Sequence, residues 1–170
     1  AVGDARLTLH RDGGASLEGA LRVLDATPLI PSPGRDALAL LTNGRGGMAR
    51  LQADLGAIHS KYDCLLGANL HPTAPSDRHV FAKRLRAWVN ADGFISPLDG
   101  AALRHFEGGP RAQWVFHAPA GDGREVEVRL EAAMPEGRNA VVLRWSRPEE
   151  AALDARLTVR LDLVARVQRG

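Results

Sequence analysis

The stretch LLTNGRGGMAR, Leu40 to Arg50, admits two folds. Read as G-x-G-x-x-A, with Gly44, Gly46 and Ala49 following the apolar run LALL, it is the turn of a dinucleotide-binding unit. Met48, Leu51, Leu55 and Ile58 then recur at helical spacing, and Asp63 lies near where an acidic residue would hold a ribose hydroxyl. Read instead as bends at Asn43-Gly44 and Gly46-Gly47, it is a structural turn needing positive φ and no ligand. A Walker-type phosphate loop fits neither version, because Met48 follows Gly47 where a lysine is required. No second strand-helix-strand unit follows, and Asp63 runs straight into Leu65 and Leu66, so the rest of the chain favours the turn.

Working outward, Val126, Val128 and Leu130 alternate with Glu125, Glu127 and Arg129, the period-two pattern of a half-buried strand. NAVVLRW repeats it with Val141, Leu143 and Trp145, and ARLTVRLDLVARV repeats it with Leu157, Val159, Leu161 and Leu163. The intervening MPEGRN and RPEEAALDA are turn-rich, so consecutive strands are expected to run antiparallel. QWVFHA, Gln113 to Ala118, reads as a strand entering the first of these hairpins. ARLTLHRDGGASLEGALRVL reads as a hairpin around Asp12-Gly13-Gly14, and TPLIPSPGRD as an irregular crossing. In DRHVFAKRLRAWVN, Phe81, Leu85 and Trp88 suit a helix, whereas Phe81, Leu85, Ala87 and Val89 fall on one side of a strand; the strand is preferred. The expected fold is all-β: one antiparallel β-sandwich domain over residues 1–170, with at most short helices.

Composition supports a globular domain. The 170 residues suffice for one core, 45% are hydrophobic and 25% charged, and no apolar run is long enough for a membrane span. The 22 basic and 20 acidic residues are interspersed and leave +2, so neither nucleic acid nor membrane is implied as a partner. One cysteine excludes an internal disulfide framework and, without a signal-peptide pattern at the start, fits the cytoplasm. With Ala1 at its start in place of Met, the chain is expected to be either a processed protein or an excised piece of a larger one.

LALLTNGRGGMA resembles the W-L-L-T-N-G-x-G-G-Y-A motif that opens the N-terminal domain of bacterial and archaeal type glycogen debranching enzymes, the amylo-α-1,6-glucosidases. The segments downstream of it are similar in order. GAIHSKYDCLLGANL stands where the family has T-R-R-Y-H-G-L-L, keeping Gly56, Tyr62, Leu65 and Leu66. A D-R-x-V segment is present as Asp77, Arg78 and Val80, with Lys83 and Leu85 behind it. GGPRAQWVF is similar to G-x-P-x-W-x-Y, and MPEGRNAVVL to M-x-x-G-x-N-x-V-V-V, so the resemblance runs from residue 34 to 166. The departures are Ala39 for the leading Trp, Met48 for Tyr, and His59-Ser60-Lys61-Tyr62-Asp63-Cys64 for the charged core, in which Lys61 is a conservative change.

The resemblance implies a β-supersandwich that precedes a helical catalytic barrel cleaving α-1,6-linked glucose. The two carboxyl groups that glycosidic cleavage needs would belong to that barrel, which has not begun by Gly170. It also implies a non-catalytic domain whose partners are the catalytic domain of the parent enzyme and a branched α-glucan such as glycogen. No catalytic residue and no cofactor is expected in this chain. The candidates for substrate or interdomain contact are Asn43, Lys61, Tyr62, Asp77, Arg78 and Trp88, with Gly44, Gly46 and Gly47 as the structural turn. Two alternatives stand beside this: a free-standing carbohydrate-binding module, and the dinucleotide-binding domain. Indole faces stack on pyranose rings, but Trp114 and Trp145 read as core, which leaves Trp88, between Arg84 and Arg86, the open case. Glu107, Asp122, Glu136, Glu149 and Glu150 read as solvated turn residues. The scattered histidines offer no metal-ligand spacing, and Cys64 reads as a buried free thiol.

Overall fold

The structure, a computed structural model, describes residues 3–10, 14, 16–23, 37–71, 78–151 and 153–167. The chain divides into two compact units, Ala1–Pro31 and Ser32–Gly170. In the first, β1 (Gly3–His10) pairs antiparallel with β2 (Ser16–Val23), Leu9 opposite Leu17 and Gly3 opposite Val23, the hairpin expected there. The expected irregular crossing at 27–36 lies outside the described residues, as does Asp77.

The second unit contains β3 (Leu38–Thr42), β4 (Met48–Gln52), β5 (Cys64–Asn69), β6 (Arg78–Ala91), β7 (Phe94–Pro97), β8 (Leu103–Glu107), β9 (Arg111–Pro119), β10 (Glu125–Ala133), β11 (Val142–Ser146) and β12 (Ala155–Val167). They form two antiparallel sheets. One is ordered β12-β6-β5-β4-β3, with β7 added to the end of β6; the other is ordered β11-β10-β9-β8. No helix occurs among the described residues. The all-β sandwich-like fold is therefore as expected, and the dinucleotide-binding alternative is overturned. That fold needs a parallel sheet flanked by helices, whereas Met48 and Leu51 lie on β4 and Leu55 in the turn after it.

The core lies between the sheets. Leu41, Leu51, Leu65, Leu85, Ala87 and Val89 come from one inner face, and Trp114, Phe116, Val126, Val128 and Leu130 from the other. Trp114 is fully buried, its indole N–H satisfied by the carbonyl of Ala53 at 3.2 Å and its ring 5.0 Å from that of Phe106. Trp145 is partly buried against this core.

Two sequence-based assignments change. Phe81 points outward, 42% exposed, instead of joining Leu85, Ala87 and Val89. The cause is a bulge: Asp162 faces Arg84, but the next residue, Leu163, faces Ala82, so Lys83 is extra and the alternation flips beyond it. Val159, Leu161 and Leu163 keep their alternation on β12 yet are 40, 48 and 73% exposed, because β12 lies at the margin of the larger sheet.

Candidate functional site

The glycine-rich stretch is the turn of the β3–β4 hairpin, and Asn43 organises it. Its backbone N–H donates to the carbonyl of Gly47 at 3.2 Å, and its Oδ1 accepts from the N–H groups of Arg45 at 2.9 Å and Gly47 at 2.8 Å. Gly44 and Gly46 take φ of 73° and 85°, the left-handed region that glycine enters without Cβ strain. The other end of the Asn43 side chain reaches the β10–β11 loop, where Nδ2 donates to the carbonyl of Arg138 at 3.0 Å and to Oδ1 of Asn139 at 2.8 Å. The N–H of Gly137 returns a bond to the Asn43 carbonyl at 2.8 Å. Both amide hydrogens and both oxygen lone pairs of Asn43 are thus engaged inside the chain, at 1% exposure. A Cβ on Gly47 would lie 2.8 Å from Asn139 Oδ1, so only glycine fits this junction. The N–H groups of Asn43, Arg45 and Gly47, which a phosphate-binding turn would turn toward its ligand, are already taken.

The segment after β4 is organised by Asp63, which is 1% exposed. Its carboxylate accepts from the N–H groups of His59 at 2.6 Å and Ser60 at 2.9 Å, from Gln52 Nε2 at 3.1 Å, and from the guanidinium of Arg50. Burial pushes this carboxyl up, but the backbone donors, Gln52 and Arg50 together hold it below the usual carboxylate range. The hollow bounded by Arg50, Gln52, Asp63, Lys83 and Arg84 has a volume of about 10 Å³, room for about one water. Cys64, which follows Asp63 at the start of β5, is buried, and that burial raises its thiol pKa.

With Asp63 turned inward, the two residues before it, Lys61 and Tyr62, face out. Tyr62 is 49% exposed, with the Lys61 ammonium 5.1 Å from its ring centre, and Lys83 Nζ donates to the Lys61 carbonyl at 2.8 Å. Trp88 is half-buried on the outer face of β6, opposite Pro97 of β7 and Thr158 of β12, with the Arg86 guanidinium 5.9 Å from its ring. Arg78, half-buried, opens the same strand opposite Asn69. The structure thus places Lys61 and Tyr62 together. Arg78 and Trp88 stand at opposite ends of β6, roughly 30 Å apart at a strand's rise per residue. Asn43 occupies the separate hairpin junction.

Sequence reasoning did not find two features. Asn139 as the partner of Asn43 lies 96 positions away, and only the recurrence of Asn in both glycine-containing loops hinted at it. A cluster of Arg84, Arg86 and Arg160 around Asp162 on the outer face of β6 and β12 was also missed. Its signal is the even spacing of charges in RLRAW and RLTVRLD, which sends every second residue to one face. Glu107, Asp122, Glu136, Glu149 and Glu150 are all exposed.

Fold and junction together define an antiparallel β-sandwich module whose two glycine-containing loops are interlocked through asparagines. A family model described as glycogen debranching enzyme N terminal matches residues 39–169, which span both loops. The chain belongs to that family of glycogen debranching enzyme N-terminal domains. No curated protein and no solved structure matched the chain.

Proposed function

We propose that this domain is a non-catalytic part of a debranching-type glycoside hydrolase, packing against the catalytic domain and helping to bind branched α-glucan. Family membership across residues 39–169 is the observation that carries the reading. Two further features agree with it. Tyr62 with Lys61, and Trp88 with Arg86, leave ring faces at the surface where a pyranose or a neighbouring domain can pack. Cleavage, by contrast, requires two carboxyl groups held across the glycosidic oxygen at a separation of roughly 5–10 Å, one of them protonated. Asp63, the buried carboxylate of the loop, is tied to four donors and held ionised, the wrong state for a general acid. Incubation of the chain with branched limit dextrin is expected to release no glucose. Release above a heat-killed control would place the hydrolytic centre here and overturn the reading.

A further inference from the structure

The outer face of the β6–β12 pair is a regular grid. Asn90 faces Arg156, Trp88 faces Thr158, Arg86 faces Arg160 and Arg84 faces Asp162. Asp162 receives Arg84 Nε at 2.7 Å and Arg86 at 3.0 Å, and Arg160 Nε lies 3.3 Å away. One carboxylate therefore serves three guanidiniums, and two positive charges stay uncompensated within this cluster. Directly opposed like charges on neighbouring strands oppose pairing, so Arg86 facing Arg160 is not explained by sheet stability. The Arg86 Nε is buried with no hydrogen-bond partner among the described residues, and the Arg160 side chain is 65% exposed.

We propose that this face is a binding site for a phosphate dianion, either free or carried as a monoester on a sugar. A dianion matches the surplus charge, and planar guanidinium forks present paired donors to phosphate oxygens. Trp88 stands two residues along β6 from Arg86, about 7 Å away, where its ring can cover a sugar bearing the phosphate. Thr158, between Arg156 and Arg160, adds a hydroxyl to the same row. This site shares Arg86 and Trp88 with the surface proposed to pack on a pyranose or a neighbouring domain, but it is carried by the arginine cluster and needs a charged ligand, so binding of phosphate does not require binding of neutral glucan.

The test is calorimetric titration of the 170-residue chain with sodium phosphate and with glucose 6-phosphate, against sodium chloride at matched ionic strength and maltotetraose. Saturable binding of phosphate beyond the chloride blank is expected. Arg160→Gln should weaken it by roughly tenfold, about the worth of one charged hydrogen bond. Thr158→Glu, a second exposed position, should abolish it. Tighter binding of glucose 6-phosphate would support the monoester, and equal affinity the free ion. No saturable phosphate signal, or an affinity unchanged in both variants, would overturn the proposal. Maltotetraose reports the neutral-glucan reading separately, so either can fail alone.

Discussion

Asn43 and Asn139, 96 positions apart, are joined by a 2.8 Å hydrogen bond from Nδ2 of the first to Oδ1 of the second. Through it the β3–β4 turn is bolted to the β10–β11 loop, one from each sheet of the sandwich. The asparagine is required for its mixed chemistry, two acceptor sites for the turn and two donors for the loop. Asn43→Asp keeps the acceptors but loses the donors and sets a carboxylate oxygen against Asn139 Oδ1 and the Arg138 carbonyl. It is expected to destabilise the domain by about 3 kcal/mol in urea unfolding. A loss below about 1 kcal/mol would show that the junction does not hold the sheets together.

The glycines of the same turn should respond unequally. Gly44 has positive φ but open space where a methyl group would stand, so Gly44→Ala should cost about 1 kcal/mol of backbone strain. At Gly47 a methyl would strike Asn43 and Asn139, so Gly47→Ala should cost roughly 3 kcal/mol by disrupting the junction. Thermal melts of the two variants would show the order, and its reversal would contradict the packing described.

Much of the fold was legible because alternation is a local signal. Val126, Val128 and Leu130 announce both their strand and its buried face within a few residues. Burial on β12 was not legible, since whether Leu161 and Leu163 are covered depends on how far the opposite sheet extends. Phe81 misled because the bulge at Lys83 depends on pairing with a strand far downstream in the chain. At the candidate site, the bends at Gly44 and Gly46 were readable from the residues themselves. The role of Asp63 was not, because its partners include backbone N–H groups that any residue supplies.

Exposure on the larger sheet gives a further contrast. Leu85, 1% exposed, should cost about 2–5 kcal/mol when cut to Ala. Leu163, 73% exposed with the same chemistry, should cost under about 0.5 kcal/mol. Chemical denaturation of both variants distinguishes them, and equal costs would mean that β12 is covered in solution.

Acid stability should depend on Asp63. Its carboxyl pKa lies lower in the folded chain than the unfolded value of about 3.9, so the folded state binds fewer protons. The stabilisation is fully present above that unfolded value and is lost as pH falls through the folded one. Asp162, held low by hydrogen bonds from Arg84 and Arg86, acts in the same direction. Urea midpoints followed from neutral pH into acid should therefore fall most steeply below about pH 4. Asp63→Asn should be less stable at neutral pH and show a shallower acid decline, and an unchanged decline would mean that Asp63 does not govern acid unfolding.

Whether this family domain contributes to α-glucan binding through its surface aromatics is decided by fluorescence titration with branched maltooligosaccharides. Parallel titrations would use the wild-type chain and Trp88→Ala. The wild type should show a saturable change that is weakened by about tenfold or more in the variant, the scale of one lost stacking contact. A flat wild-type titration, or identical curves for both proteins, would contradict a glucan-binding role for this surface.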